Sequence, residues 1–350
     1  MNNQFDVITI PSVFGTAPAL LDNFVEKIHK GLKLKIENDF FMVGDLALNE
    51  GVQPHKEINS SPNDLDYKLL MTSALLVENS KLGNALTVTT GFPFASYQVN
   101  KDLALENLLK DHLVEFDSSI FSNGGVKKMV IEVSNGAILP EVSASAHAIR
   151  SIYKVEGDFM VLSLGFGTFE TIYSNSNGEF GLQRTASSSQ GIIYALQALR
   201  KELFNLYPSN MISDTFLDEA LRNGYIFLDR KKVDIKDLRN KVLTLYYKNL
   251  ISPTVKKAFT DREFSKSQGI YLAGGGALYP ELVSMFKEEF KDIIDVQVLE
   301  DPQYLAAKGY FLRSSKLNGG NKAQSVGIDM GNSTTVVCSL EILNKCILNS

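Results

Sequence analysis

Apolar and polar positions along the chain follow two periods, one typical of β-strands and one typical of helices. Strands are predicted at 7–10, 32–36, 40–44, 86–90, 129–133, 159–163, 169–173, 270–272 and 295–299. Helices are predicted at 67–77, 103–113, 192–206 and 304–312, with mostly helical spacing from 208 to 262. An Asn38-Asp39 turn is predicted to join the second and third strands into a hairpin. The alternation indicates an α/β protein.

The pattern falls into two similar halves. The first 150 residues give a β-meander followed by alternating helix and strand, and the same order starts again after Gly157. Residues 314–322 are small and polar with paired glycines, which is typical of a flexible linker. A new strand at 326–328 follows this segment directly. We therefore expect that the linker joins two ends that were once free.

Composition narrows the class of protein. With 350 residues, of which 44% are apolar, the chain is long enough to bury two cores. We expect a cytoplasmic protein, because no apolar run approaches the roughly 20 residues of a membrane span and no signal-peptide pattern begins the chain. Cys338 and Cys346 lack the partners that a zinc site requires and are expected to be buried as small apolar residues.

Charge argues against direct binding to nucleic acid. The net charge is −5, whereas sequence-independent binding depends on clustered cations. The most compact basic run, Arg230-Lys231-Lys232, lies between two aspartates and is interpreted as a solvated surface. Any link to DNA would therefore need an adaptor protein.

Three glycine-containing turns carry the candidate chemistry, and each follows a short apolar strand. They are Asp329-Met330-Gly331-Asn332-Ser333-Thr334, Ser163-Leu164-Gly165-Phe166-Gly167-Thr168 and Ala273-Gly274-Gly275-Gly276-Ala277. Glycine lets the backbone approach a phosphate closely, and hydroxyl and amide groups can donate hydrogen bonds to it. A single turn of this kind is more often an ordinary hairpin. Three of them, each after a strand, favour a nucleotide site.

These turns resemble the phosphate and adenosine loops of the actin-like ATPases, most closely the ParM-like bacterial proteins. The turn at 329–334 is similar to the first phosphate loop of that superfamily, the turn at 163–168 to the second, and the segment 272–277 to the adenosine motif. Residues 140–148 and 306–310 resemble its two connecting helices, and 10–13, 43–47 and 90–97 resemble ParM-type segments of the first domain. The resemblance covers nearly the whole chain.

The resemblance implies an actin-like ATPase fold with two lobes, each built on a mixed five-stranded sheet with flanking helices, as in ribonuclease H. It implies that residues 1–150 and 303–350 form domain I and that residues 151–302 form domain II, with a helical subdomain at about 207–265. The family order of the loops is first phosphate, second phosphate, adenosine, whereas here the first phosphate loop comes last. We therefore expect a circular permutation in which the segment 325–350 supplies the first phosphate loop.

The resemblance also implies roles for individual residues in binding ATP or ADP with Mg²⁺. Asp329 matches the aspartate that holds the metal through water, and Glu141 matches the carboxylate near the attacking water. Ser163 stands where the second loop usually carries aspartate, so hydrolysis is expected to be slow. The expected nucleotide contacts are Gly331, Asn332, Ser333, Thr334, Gly165, Phe166, Gly167, Thr168, Gly274, Gly275, Gly276, Ala277, Gly191, Lys201 and Glu202.

Two of these assignments have structural alternatives. Glu141 could be an acidic residue favoured at a helix start by the helix dipole. The serines at 187–189 could simply cap the helix that follows them.

The sequence is compatible with three functions. The first is a filament-forming ATPase that self-associates head to tail, with plasmid or DNA segregation through an adaptor implied by the family. The second is a small-molecule kinase of the same superfamily, although the chain lacks an evident substrate aspartate and large insertions. The third is a non-hydrolysing ATP-dependent scaffold, which Ser163 favours.

Overall fold

The computed structural model describes residues 5–16, 25–55, 60–83, 85–121, 124–181, 184–208 and 212–341. The chain forms two compact units. Unit 1 contains residues 1–148 and 306–350, and unit 2 contains residues 149–305.

Strands and helices follow one another along the described chain. Up to residue 152 they are β1 (Phe5–Pro11), β2 (Phe14–Thr16), β3 (Leu32–Ile36), β4 (Asp39–Val43), α1 (Asp45–Glu50), β5 (Val52–His55), α2 (Leu65–Leu82), β6 (Leu86–Phe92), α3 (Phe94–Leu108), β7 (His112–Asp117), β8 (Val126–Ile131), β9 (Val133–Pro140) and α4 (Glu141–Ile152). Next come β10 (Asp158–Leu164), β11 (Phe169–Ser174), β12 (Ala186–Ser188), α5 (Ile193–Leu206), α6 (Asp214–Asn223), β13 (Tyr225–Leu228), β14 (Lys231–Asp234), α7 (Lys236–Tyr246), α8 (Ser252–Ala258), α9 (Asp261–Lys266), β15 (Ser267–Ala273), α10 (Pro280–Phe290) and β16 (Val296–Val298). The last are α11 (Leu305–Leu317), β17 (Ser325–Met330) and β18 (Thr334–Leu340).

The central sheet of unit 1 combines strands from both ends of the described chain. Its order is β1-β18-β17-β6-β9. β17, β6 and β9 run parallel, whereas β17 with β18 and β18 with β1 pair antiparallel. β18 ends at Leu340, directly opposite Phe5 at the start of β1. The first and last described strands of the chain are therefore neighbours in one sheet.

The central sheet of unit 2 has the same arrangement. Its order is β12-β11-β10-β15-β16, with β10, β15 and β16 parallel and the other pairs antiparallel. β10 is buried along almost its whole length, as expected for a central strand covered on both faces. The two sheets match strand for strand if β17 and β18 are counted before β1. The predicted mixed five-stranded sheet in each lobe is confirmed.

Unit 1 also contains a six-stranded sheet with the order β5-β2-β4-β3-β7-β8. Its interior holds an ion pair between Lys33 on β3 and Asp117 on β7, 2.9 Å apart and both less than a tenth exposed. The hydroxyl and the amide of Ser119 also donate to the Asp117 carboxylate. These hydrogen bonds, together with Lys33, outweigh the effect of burial and hold the pKa of Asp117 below its usual range.

Three local predictions differ from the structure. The β3–β4 hairpin turns at Glu37-Asn38, one residue earlier than predicted, with Glu37 at a φ of 56°. The helix predicted at 103–113 instead covers Phe94–Leu108, because the chain leaves the helix and enters β7 at His112. The mostly helical stretch from 208 to 262 contains the β13–β14 hairpin, since a four-residue strand is too short for periodicity to reveal.

The predicted flexible linker at 314–322 is wrong. Residues 314–317 form the last turn of α11, and the Ser314 hydroxyl is buried against Val326 O at 2.7 Å and Thr89 Oγ1 at 2.8 Å. The helix ends in a Schellman motif, with Gly319 at a φ of 62° and the amide of Gly320 donating to Ser315 O. The small polar residues therefore serve packing and helix termination rather than flexibility.

Candidate functional site

The first glycine turn lies at the tip of the β17–β18 hairpin in unit 1. The amide of Gly331 donates to Thr334 O at 3.1 Å, which closes a turn that contains Asn332 and Ser333. Ser12, buried at the end of β1, supports the turn from the neighbouring strand. Its hydroxyl donates to Gly331 O at 2.6 Å, and its amide donates to Ser333 O at 3.0 Å. Ser12 thus binds two carbonyl groups of the turn, and these hydrogen bonds fix the conformation of the turn.

The second turn lies at the tip of the β10–β11 hairpin in unit 2 and has the same construction. The amide of Gly165 donates to Thr168 O at 2.9 Å, with Phe166 and Gly167 between them. Ile192, which directly precedes α5, takes the role that Ser12 has in unit 1, because its amide donates to Gly165 O at 3.0 Å. The two turns therefore match in hydrogen bonding as well as in sequence.

Close packing around the second turn explains why residue 191 is a glycine. A Cβ atom at Gly191 would lie 2.4 Å from Gly165 O and 2.6 Å from both Phe166 O and Thr168 N. These are backbone atoms of the turn, so they cannot move aside without changing its shape. Gly191 therefore lets the start of α5 press against the second turn.

Asp329 and Ser163 occupy equivalent positions, each two residues before the glycine that opens its turn. Asp329 is half-buried near the end of β17, whereas Ser163 is 2% exposed. Their cross-strand neighbours differ. Asp329 lies opposite Val336, but Ser163 lies opposite Glu170.

Glu170 is a candidate functional residue that the sequence analysis missed. It is fully buried on β11, and directly opposite residues of an antiparallel pair share one face of the sheet with Cβ atoms about 5 Å apart. The Glu170 carboxylate on β11 therefore lies next to Ser163 on β10, a position at which the resemblance predicts an aspartate. The available signal was a glutamate inside the apolar strand Phe169–Ser174, two residues after the turn.

The adenosine-type loop follows β15, which runs parallel to β10 with Ala273 opposite Ser163. Two of its glycines are required by packing against Leu164. A Cβ atom would lie 2.6 Å from Leu164 O at Gly274, which has a φ of 80°, and 2.5 Å from Leu164 Cβ at Gly276. Gly275 faces open space within 4 Å of its Cβ position, so its backbone is accessible to a ligand. Ala277 is buried in the turn that follows.

Glu141 begins α4 directly after Pro140, the last residue of β9. β9 and β17 flank β6 in the parallel part of the unit 1 sheet, so Glu141 and Asp329 lie along the edge formed by the carboxyl ends of these strands. Desolvation raises the pKa of Glu141 to about 7. Such a carboxylate is present in both protonation states near neutral pH, as a general base requires.

Lys201 and Glu202 lie farther along α5, about 12 Å from its first residue. Lys201 is exposed, and Glu202 forms an ion pair with Lys241 on α7 at 2.9 Å. Each unit thus brings together part of the predicted site. In unit 1 these residues are Glu141, Asp329 and the turn 331–334, and in unit 2 they are Ser163, Gly191, the turn 165–168 and the loop 274–277.

The suggestion that the serines at 187–189 cap α5 is wrong. Ser187 and Ser188 lie in β12, paired with β11, and the N-cap residue Ile192 provides no side-chain cap. The Ser188 hydroxyl instead accepts a hydrogen bond from the amide of Gln190 at 3.2 Å. These serines therefore belong to β12 and to the turn that connects it to α5.

Comparison with known proteins agrees with this architecture. Residues 1–142 match the family model of the N-terminal domain of actin-like proteins. A non-polymerisable quadruple mutant of pCBH ParM superposes with a TM-score of 0.69 at 21% identity. A 15-stranded ParM filament from Clostridium botulinum gives 0.70 at 17%, and the archaeal actin homologue Ta0583 in complex with ADP gives 0.68 at 17%. Each match covers 88% of this chain and 92% of the other. A comparison with curated proteins finds no match.

The protein therefore has an actin-like fold, with an N-terminal segment that matches the domain model of the actin-like proteins. Among these proteins, it resembles ParM and archaeal actin homologues, so the predicted resemblance is confirmed. No helix in the described ranges is both long enough and apolar enough to cross a bilayer.

Proposed function

We propose that the chain is an actin-like protein that binds ATP or ADP with Mg²⁺ and assembles into filaments. The observation that carries this proposal is the pair of matched hairpin turns, each with a glycine at the same position and the same closing hydrogen bond. The phosphates would bind at 331–334 and 165–168, and the nucleoside at 274–277. The resemblance to structures solved with ADP, ATP and AMPPNP supports nucleotide binding.

The residues present suit a magnesium ion held through water. Asp329 is half-buried two residues before a glycine turn, and Mg²⁺ favours one or two carboxylates together with phosphate oxygens and water. When bound, the ion would neutralise phosphate charge. Asp329 would orient the water shell of the ion.

Slow hydrolysis follows from the identity of the charged groups. Ser163 carries no charge and cannot attract a metal-bound water as an aspartate would. Glu141 would accept a proton from the attacking water, because its pKa of about 7 leaves a large ionised fraction at neutral pH. We therefore propose a weak ATPase.

Filament assembly gives the most direct test. In sedimentation at increasing protein concentration, we expect the chain to enter the pellet with ATP and Mg²⁺ and to remain largely in the supernatant with ADP, because we propose that bound ATP favours the contacts between subunits. Electron microscopy of the pellet should show filaments. A chain that stays in the supernatant in every nucleotide state at high concentration would contradict the proposal, and fluorescent-nucleotide displacement would show separately whether ATP binds.

A non-hydrolysing scaffold is the second candidate, and the uncharged Ser163 is the observation that favours it. The two candidates differ in phosphate release. Assembly with ATP but without measurable phosphate release would identify the scaffold.

We also propose that the chain is a circular permutation of the actin-like order. The support is the unit 1 sheet, which reproduces the unit 2 sheet only when β17 and β18 are counted before β1. Joining Ser350 to Met1 and opening the chain between Gly320 and Asn321 should preserve fold and ATP affinity, because the new ends lie in an exposed turn. Circular dichroism and nucleotide titration of the rearranged chain check this expectation, and an unfolded product would contradict it.

The ParM resemblance further suggests segregation of plasmid or other DNA through a DNA-binding adaptor. The proposal predicts that filaments would colocalise with the segregating DNA in cells only when the adaptor is present.

A further inference from the structure

Unit 2 contains a hairpin formed by β13 and β14. Asp229 and Arg230 connect the strands, with φ of 48° and 65°, which are the positive values of a type I′ turn. One face of the hairpin enters the core through Ile226 and Leu228. The opposite face is therefore held in a fixed orientation toward solvent.

That opposite face combines aromatic and basic groups. Phe227 is 52% exposed and lies directly opposite Lys232, whose ammonium group is 3.8 Å from the centre of the Tyr225 ring. Lys231 lies directly opposite the buried Leu228, at the exposed end of the other face, and Arg230 lies in the turn beside it. Neither forms an ion pair within the described part of the chain. Residues 225–236 carry four cationic side chains against two carboxylates, and Lys236, the first residue of α7, pairs with Asp234 at 3.6 Å. Arg230, Lys231 and Lys232 therefore make the hairpin a basic surface with an apolar centre. We call residues 225–236 the basic hairpin.

A surface of opposite charge lies at the end of α10. Ile293 is 61% exposed, while the neighbouring Ile294 packs against the core. The exposed carboxylates of Asp292 and Asp295 flank Ile293, and neither forms an ion pair within the described ranges. Lys291 adjoins this surface on the last turn. We call residues 292–295 the acidic tip.

The two surfaces lie at opposite ends of α10. A Cβ atom at Gly224, just before β13, would lie 3.1 Å from the Arg239 guanidinium, which also donates to Glu281 in the first turn of α10. The acidic tip follows the other end of this 11-residue helix, about 16 Å away. One copy of the chain therefore carries the basic hairpin and the acidic tip at two separate places on unit 2.

We propose that the basic hairpin of one copy binds the acidic tip of the next. This inference rests on the proposed assembly into filaments and identifies one contact that builds them. The charges are complementary, and each surface places an exposed apolar side chain among them, Phe227 on one side and Ile293 on the other. Because the two surfaces are different and lie apart on one copy, the contact is heterologous, and such contacts build open filaments when the rotation between copies does not close a ring.

Charge reversal tests the contact on the full chain with ATP and Mg²⁺. The hairpin variant is Lys231→Glu with Lys232→Glu, and the tip variant is Asp292→Lys with Asp295→Lys. Each alone should raise the critical concentration for sedimentation about tenfold or more, since like charges then face each other. An equimolar mixture should assemble near the original concentration, because the reversed hairpin fits the reversed tip and the two unaltered surfaces still fit each other.

The mixture also separates a lost contact from a misfolded variant, since misfolded chains would not assemble when mixed. The matched control is Lys127→Glu with Lys248→Glu, two other exposed lysines that form no ion pair within the described ranges, and it should assemble normally. If the unaltered chain sediments but the variants do so equally well, or if the mixture fails, the contact is overturned while filament assembly stands. If only the hairpin variant raises the critical concentration, the acidic tip is not the partner of the hairpin and the contact is overturned. If the unaltered chain never sediments, both proposals fall.

Discussion

Replacing Glu170 by glutamine is expected to lower ATP-dependent phosphate release about a hundredfold or more, while nucleotide binding changes little. The side chain keeps its shape in the buried site on β11 but can no longer carry a negative charge. If Glu170 supplies the carboxylate that Ser163 lacks, this charge is needed when charge develops on the phosphate and the attacking water. Single-turnover phosphate release and nucleotide titration measure the two effects separately.

A transposition sharpens this test. Ser163→Asp combined with Glu170→Ser moves the carboxylate across the hairpin, and it should restore part of the activity lost in Glu170→Ser alone. Glu179→Gln removes an exposed carboxylate of the same unit and serves as the control, with no expected change in rate. Unaltered phosphate release in Glu170→Gln would rule out a role for Glu170 in hydrolysis.

Replacing Lys33 by methionine is expected to lower the free energy of unfolding by about 3–5 kcal/mol, because Asp117 would remain as an unpaired buried carboxylate. Adding Asp117→Leu to Lys33→Met should recover much of the loss by removing that charge. Lys128→Met affects the more exposed pair with Glu115 and should cost no more than about 1 kcal/mol. Chemical denaturation of the four proteins measures these differences, and equal losses in the two lysine variants would contradict the prediction.

The ion pair of Lys33 and Asp117 also makes the free energy of unfolding depend on pH. The pKa of Asp117 is lower in the folded chain than in the unfolded chain, so its contribution to stability is present above the unfolded value near 4 and is lost as the pH falls toward the folded value. In Lys33→Met, burial without the ammonium group should raise the folded pKa. The variant should then regain stability relative to the original chain as the pH falls, and parallel stability curves would contradict this.

Local sequence predicted those features that depend on neighbouring residues. The glycine turns were located because a strand, a glycine and hydroxyl residues lie within a few positions, and the buried strand Asp158–Leu164 was predicted from its continuous apolar run. The five-stranded sheets were implied by a family resemblance and could not be worked out from periodicity alone.

Features that depend on distant contacts were not predictable in this way. Glu170 became a candidate only when the β10–β11 register placed it opposite Ser163. Ser314 looked like part of a linker because its partners, Thr89 and Val326, lie on separate strands. Ser12 lies in a segment that resembles the ParM type, but its hydrogen bond to Gly331 O joins residues 319 positions apart in the chain. In each case, the decisive neighbour comes from elsewhere in the fold.

The position of β17 has a consequence for synthesis on the ribosome. The unit 2 sheet is complete once residue 298 has emerged, but the unit 1 sheet lacks its central strand until residues 325–340 follow. The earlier strands β1 and β6 therefore leave the backbone groups that pair with β18 and β17 without these partners until residues 325–340 are translated. A product that ends before residue 331 would therefore lack the turn 331–334. Only a polypeptide that extends past residue 340 could acquire the proposed ability to bind ATP, which would keep shorter products out of the proposed filaments.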